Sequence, residues 1–221
     1  MADLRVLIWD EQTQPQSVYP EFINGALGKH LGQVPGLTVS LARLKDPEQG
    51  LSAAALAATD VVVWWGHAKH AEVADEHAER VARRVREGMG LVTLHSAHYS
   101  KPFKLLNGTP CGLGGWREDG EPTHMETLLP EHPIAAGIPA AWDVAQDEMY
   151  DEPFEISEPD AVIFFARWDK GETFRAGCVW ERGQGRNFYF QPGHETYPVY
   201  EDPTVLRVIE NGVFWAGRRE R

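Results

Sequence analysis

The sequence predicts an α/β protein built on a doubly wound, mostly parallel sheet in a three-layer α/β/α arrangement. Three observations carry that prediction. Short strands that are apolar on both faces, such as "DVVVWW" (60–65), alternate with helical patterns through the first half of the chain. Double-sided burial is what a parallel sheet covered by helices requires. Between those strands apolar residues recur at helical spacing. Finally, 221 residues with 43% hydrophobic and 24% charged content suit one sizeable core.

The elements follow in order. "LRVLIW" (4–9) is the first strand, and the helix after it carries Phe22, Ile23, Ala26, Leu27, His30 and Leu31 on one face. "LTVSLARL" (37–44) is the second strand, followed by an Ala-rich stretch near 51–58. Residues 60–65 form the third, and the next helix carries Val73, Ala74, Ala78, Val81, Ala82 and Val85. "GLVTLH" (90–95) is the fourth strand. Residues 108–160 are rich in Gly, Pro and acidic residues. They read as an irregular insertion with short strands, with Trp116, Ile134, Ile138 and Trp142 to bury. "AVIFFARW" (161–168) and the pair "TFRAGCVWE" and "RNFYFQ" return to strand, the pair joined by the hairpin signal "RGQG". The last helix opens with Asp202 as N-cap and Pro203 at its first position. No repeat or composition break divides the chain, so residues 1–221 read as a single domain.

Charge narrows the function. Lys and Arg total 21 against 33 Asp and Glu, a net charge of -12. No basic stripe is present to release counterions, which argues against nucleic acid and anionic membranes as partners. "RVARRVR" (80–86) and "GRRER" (217–221) read as solvated surface. No apolar run approaches the ~20 residues that span a bilayer, and "MADLRVLIWD" lacks the pattern of a signal peptide. Cys111 and Cys178 are too few for a disulfide framework and share no metal-like spacing. A soluble cytoplasmic protein is expected. The exposed aromatic and acidic residues of the insertion leave room for a homo-oligomer without demanding one.

In an open α/β sheet, ligands bind beyond the carboxyl ends of the strands. The first strand is followed by Asp10 and Glu11, the third by His67 and His70, and the fourth by His95, Ser96 and His98. "FYFQPGHETYP" (188–198) supplies His194, Glu195 and Tyr197, and "QDEMYDEPF" (146–154) adds Asp147 and Glu148. Several of these have plainer readings. His67 follows Gly66 at a turn, His70 and His98 suit a solvent-facing surface, and His30 and His77 belong to helix patterns. His124 and His132 fall in the insertion, where His132 precedes Pro133 and suits a turn. The convergence of His67, His95 and His194 on one sheet edge is what a pocket requires.

Two chemistries stay open for that set. Three neutral imidazoles suit a divalent transition metal such as zinc with an open position. Imidazoles and carboxylates can also move protons without metal, as in enolisation beside a carbonyl. Trp64, Trp65, Tyr99, Trp116, Tyr150 and Tyr197 lie beside these groups in sequence. An aromatic face stacks on the C–H face of a sugar while polar neighbours bond its hydroxyls, so a small-molecule carbohydrate fits.

"WWGHAKH", "GMGLVTLHSAHYSKPFKLLNGTPC", "HPIAAGIP", "DEMYDEPF", "FRAGCVWERGQGRNFYFQPGHETYPVY" and "VIENGVFWA" together resemble the ThuA-like, or trehalose-utilisation, family. The resemblance runs from the first strand to residue 216. It implies a flavodoxin-like fold similar to class I glutamine amidotransferases. It also implies a role in carbohydrate utilisation, with keto-disaccharides such as 3-keto-trehalose as the substrate class. Glutaminase chemistry is rejected. Amidotransferases place a cysteine in a G-x-C-x-G turn, whereas "LHSAH" (94–98) offers His95 or Ser96 without those glycines. Adjacent His194 and Glu195 likewise replace the spaced His-x-Glu.

The resulting expectation is a sugar-modifying enzyme, with isomerase, lyase and hydrolase classes all open. His95, His194, Glu195 and Glu148 are the candidate catalytic residues. His98, Trp65, Tyr197 and Trp116 are candidates for substrate binding, and His67, His95 and His194 are the candidate metal ligands. Two rival readings remain: a non-catalytic sugar-binding or regulatory module, and a serine hydrolase using Ser96 activated by His194.

Overall fold

The computed structural model describes residues 2–219; Met1, Glu220 and Arg221, the last two from the C-terminal basic cluster, lie outside the described residues. The first half alternates as expected: β1 (Leu4–Asp10), α1 (Phe22–Leu31), β2 (Leu37–Arg43), α2 (Ala53–Ala57), β3 (Val61–Trp65), α3 (Asp75–Arg86) and β4 (Gly90–Leu94). Then follow α4 (Lys101–Asn107), β5 (Gly115–Arg117), β6 (Thr123–Thr127), β7 (Ala141–Val144) and β8 (Met149–Asp151). The chain closes with β9 (Ala161–Arg167), β10 (Thr173–Arg182), β11 (Gly185–Phe190) and α5 (Pro203–Ala216).

Nine strands form one sheet in the order β2-β1-β3-β4-β11-β10-β9-β6-β7. From β2 to β11 the pairings are parallel. From β11 to β7 they are antiparallel. This corrects the expectation of a mostly parallel sheet: the protein is mixed α/β, and half of its sheet is built from hairpins and antiparallel neighbours. The β10–β11 hairpin turns at Gly183, whose φ is +65° and where a Cβ would lie 2.5 Å from the Arg86 carbonyl oxygen. Only glycine fits both conditions.

Alternate residues of β1 show why its sequence is apolar on both faces. Val6 and Ile8 join a core with Ile23 and Leu27 of α1 and Val208 and Ile209 of α5. Leu7 and Trp9 join a second core with Leu56 of α2 and Val81 and Val85 of α3. Helices therefore cover both faces of the parallel half. Burying a Leu, Ile or Val side chain stabilises the fold by about 1.5–3 kcal/mol, so the two cores define which strands lie inside.

Three local differences from the sequence reading have simple causes. Val73 and Ala74 precede α3, because Ala74 is extended as its N-cap, although Val73 is still buried. Helix α4 was not expected, yet Ser100 Oγ accepts from Phe103 N and Gly108 ends it at φ +70°. The short strands expected within residues 108–160 form two groups. Strands β6 and β7 extend the main sheet and bury Trp142, while β5 and β8 form a separate two-stranded sheet. Trp116 of β5, expected to be buried, is 66% exposed. At the C-terminus Asp202 caps α5 as expected, accepting from Thr204 N and Val205 N. No helix among the described residues is long and apolar enough to cross a membrane.

Candidate functional site

Strands β3, β4 and β11 are neighbours, and their carboxyl ends deliver three histidines to one edge. His67 lies two residues beyond β3, His95 directly follows β4, and His194 lies four residues beyond β11. The ring centroids of His67 and His95 are 5.9 Å apart, those of His67 and His194 5.2 Å, and those of His95 and His194 5.3 Å. One ligand atom from each of His67, His95, His194 and Glu195 lies within 4.8 Å of the others. A fifth group enters from the second sheet: Glu148, just before β8, places Oε2 3.1 Å from His95 Nε2 and 3.8 Å from His194 Nε2.

The backbone at β4 explains how His95 reaches this position. His95 has φ +54°, a left-handed conformation that is uncommon for a residue with a Cβ. The strand turns sharply there into a short helical turn, His95–Tyr99. His95 therefore stands at the apex of the bend and Ser96 just after it. Strain of this kind persists only where its surroundings hold it. Here His95 Nδ1 donates to the Gln191 carbonyl at 2.9 Å, which turns Nε2 toward the cluster.

The other rings are fixed in the same way. His67 Nδ1 bonds Ser96 Oγ at 2.7 Å, leaving Nε2 toward Glu195 Oε1 at 3.6 Å. His194 Nδ1 bonds Thr196 Oγ1 at 2.9 Å, and that hydroxyl donates to Glu118 at 2.9 Å. These contacts fix the ring with Nε2 turned toward Glu148 and Glu195. The Thr196 N–H donates to the same Nδ1 at 3.3 Å. Outer partners that set tautomer and ring orientation are characteristic of ligand histidines.

Two buried carboxylates hold the loops that carry these rings. Glu11 accepts from Ala68 N at 2.6 Å, Lys69 N at 2.9 Å and Thr13 Oγ1 at 2.7 Å. Asp147 accepts from His194 N at 3.0 Å and Gly193 N at 3.2 Å. Gly193, at φ +143°, has no room for a Cβ, which would meet the Tyr200 hydroxyl at 1.9 Å. The sequence marked Glu11 and Asp147 as carboxylates near strand ends but gave them no such task. Their signal would have been position beside the His loops, which no spacing rule encodes. Tyr150 was likewise read only as a neighbouring aromatic. Its hydroxyl lies 2.8 Å from Ser96 Oγ and 3.2 Å from His95 Nε2.

Electrostatics divides the set. Burial works against charge on His95, but the close pairing with Glu148 and the charge of Asp147 outweigh it and raise its pKa. Burial likewise opposes ionisation of Glu148, yet pairing with His95 lowers its pKa. Burial, assisted by repulsion from His95, pushes His194 down to about 3, so that ring is neutral at pH 7. Burial raises Asp147 to about 6. The Oε2 atoms of Glu148 and Glu195 are buried and have no aligned hydrogen bond. Three Nε2 atoms and two carboxylates with unused oxygens make a donor set suited to a divalent cation of the zinc type.

The remaining expected residues fall outside this cluster or at its border. Trp65 is fully buried and donates Nε1–H to the Gly193 carbonyl at 3.1 Å. His98 is fully buried and donates Nδ1–H to the Cys111 carbonyl at 2.8 Å. Both were expected at the substrate; neither presents surface to a ligand, because each is tied into the packing of a loop. Tyr197 stays at the border, its ring 5.8 Å from that of His194. Ser96 is paired with His67, not with His194 as the hydrolase reading required. A cavity of about 880 Å³ lies elsewhere, between Tyr19, His30, Val34, Tyr200 and Glu210, and holds no comparable cluster.

Solved structures share this architecture. A ThuA-like protein from Parabacteroides merdae matches with TM-score 0.72 at 17% identity, over 98% of this chain and 90% of its own. One from Bacteroides uniformis matches with TM-score 0.72 at 17% identity, over 97% and 92%. A cytoplasmic protein from Salmonella typhimurium matches with TM-score 0.65 at 15% identity, over 96% and 98%. At these identities the likeness is one of fold. No curated protein matches the sequence. The family model for ThuA, trehalose utilisation, matches residues 5–216, and the chain belongs to that family.

Proposed function

We propose that the protein is an enzyme of carbohydrate utilisation that acts on a keto-sugar. In this reading His67, His95, His194 and Glu195 hold a divalent metal ion and Glu148 moves the proton. One observation carries the proposal: ligand atoms of those four residues gather within 4.8 Å at the sheet edge, with a buried carboxylate beside them. Family membership supports a substrate drawn from disaccharide utilisation. The strand order β2-β1-β3-β4-β11 supports reading the parallel half as flavodoxin-like. In the related class I amidotransferase-like scaffold, the turn after β4 bears the working residue, here His95.

A bound zinc ion would polarise the sugar carbonyl as a Lewis acid. Glu148, whose carboxylate lies beside these ligand atoms, takes the proton from the carbon next to that carbonyl, and the C–H electron pair moves toward the carbonyl oxygen to form the enol. His194, which burial keeps neutral at pH 7, and His67, oriented by Ser96, present their rings to the site. Tyr150, whose pKa burial raises well above the usual phenol value, keeps its proton and holds Ser96 and His95 in register. General-base help of this kind contributes about 10²–10⁴-fold.

The test combines metal analysis with turnover. Purified protein should carry close to one zinc per chain. In heavy water with 3-keto-trehalose it should exchange the proton beside the carbonyl and consume the sugar. Sugar binding without exchange or product, with zinc supplied, would instead mark a binding module. A second reading rests on the 2.7 Å contact between Ser96 Oγ and His67 Nδ1, as in a serine hydrolase. Against it, Ser96 is only 4% exposed and shares its hydroxyl with Tyr150. Labelling of Ser96 by a fluorophosphonate decides between the two.

A further inference from the structure

The two-stranded sheet pairs β5 with β8 antiparallel, with Trp116 directly opposite Tyr150. Directly opposed residues share a face, and residues two apart along a strand share it too. Trp116 and Tyr150 therefore share a face, with Glu118 one residue past the end of β5 and Glu148 one residue before β8. Three of these four reach the histidines. Glu148 and Tyr150 touch His95, and Glu118 reaches His194 through Thr196. The fourth is Trp116, the most exposed large hydrophobic side chain among the described residues, at 66%.

We infer that Trp116 is the platform for the second sugar ring of a disaccharide, the ring that does not carry the reacting carbonyl. This rests on the keto-sugar reading above and extends it. Trp116 is exposed, and an exposed indole can offer its face to the C–H face of a pyranose, leaving the hydroxyls to water and the rim. Cross-strand neighbours lie about 4.5–5.5 Å apart at Cβ, so the Trp116 side chain springs from a point one residue's width from Tyr150, which bonds His95. A one-ring sugar engaged at the histidines would not need it; a two-ring sugar would cover it.

The backbone on either side of Trp116 is held before any ligand arrives. Gly114 lets β5 press against residue 152, where a Cβ would meet the Glu152 carbonyl oxygen at 2.0 Å. Arg117, the next residue, is pinned by Asp119, Glu121 and Glu172. A pre-set surface loses less entropy on binding than one that must be ordered. Tyr197, whose hydroxyl lies close to Gly120 on the same flap, closes the border beside His194.

The experiment compares wild type, Trp116→Ala and Trp116→Phe by calorimetric titration with trehalose and glucose, and by turnover of 3-keto-trehalose. Trehalose has no carbonyl, so its binding reads the platform without the chemistry. Loss of the indole should weaken trehalose binding about tenfold, raise KM for 3-keto-trehalose similarly and leave kcat and glucose binding unchanged. Phenylalanine should restore most of the loss. Equal trehalose binding by wild type and Trp116→Ala, or no trehalose binding by wild type, would overturn the inference. So would a dimer that Trp116→Ala dissociates without altering sugar binding. If Trp116-dependent binding is found but 3-keto-trehalose is not consumed, the inference holds and the proposed reaction fails.

Discussion

His95 Nε2 and Glu148 Oε2 lie 3.1 Å apart, and the carboxylate oxygen accepts no aligned hydrogen bond. One comes from the strained turn after β4 and the other from the edge of the second sheet. The fold thus brings an imidazole and a carboxylate together from beside two separate sheets. A misaligned buried pair is costly to keep unless it has a task, because an unsatisfied charged group costs more than about 1–3 kcal/mol.

That relationship gives Glu148 a measurable role. Glu148→Gln keeps the volume and removes the base. Its kcat on 3-keto-trehalose should fall by about 10²–10⁴, while zinc content stays at the wild-type level. Proton exchange beside the carbonyl, followed by NMR in heavy water, is the direct readout. Wild-type exchange in Glu148→Gln would remove Glu148 from the mechanism.

The histidines should behave differently from Glu148. His67→Ala, His95→Ala and His194→Ala should each lower the zinc content found by elemental mass spectrometry, and a chelator should abolish turnover in wild type. Restoring zinc should restore it. An alanine variant at His194 that keeps full metal content would show that the cluster is not a metal centre, and acid–base chemistry alone would remain.

Much of this was legible in the sequence, and the part that was not has physical causes. β1, β3 and β4 announce themselves because both faces are buried, so their residues are apolar without alternation. β6 and β7 do not: "THMET" and "AWDV" mix charged residues with buried Met125 and Trp142, since one side of the sheet edge meets solvent. Helix α4 carried readable signals, with Ser100 before Pro102 and Gly108 at its end. The three site histidines were visible as strand-end residues. Trp65 and His98 share that position but face inward, and chain order does not encode the direction of a side chain past the last strand residue. Glu11 and Asp147 act by accepting backbone N–H groups, an interaction with no sequence signature.

Glu11 offers a test of positioning. Glu11→Gln replaces an acceptor of three donors with a group that must point N–H atoms at some of them. Hydrogen bonds to charged groups contribute about 1.5–3 kcal/mol each, so urea unfolding should show a loss of about 2–4 kcal/mol. Because the freed segment carries His67, zinc affinity should also fall, about 10–100-fold, as for other outer partners. Lower stability with unchanged zinc affinity would make Glu11 a purely structural residue.

Asp10 gives folding a pH dependence of its own, outside the histidine cluster. Burial raises the pKa of Asp10 from 3.8 to about 6, against the opposing hydrogen bonds from Gln12, Asn24 and Gln14. Its Oδ2 lies 2.5 Å from the Gln14 amide, whose Oε1 is buried without a partner. Turning that amide over puts the two oxygens together, a separation suited to an O–H···O bond from a protonated Asp10. A carboxyl with a raised folded pKa takes up protons on folding, so its contribution is fully present below about pH 4 and is lost as pH rises through 6. The shift corresponds to about 3 kcal/mol. Asp10→Asn cannot titrate, so the stability advantage of wild type over Asp10→Asn should shrink by about that amount between pH 4 and pH 7. Urea unfolding of both proteins at several pH values in that window reads it directly, and a difference independent of pH would mean that Asp10 stays ionised throughout.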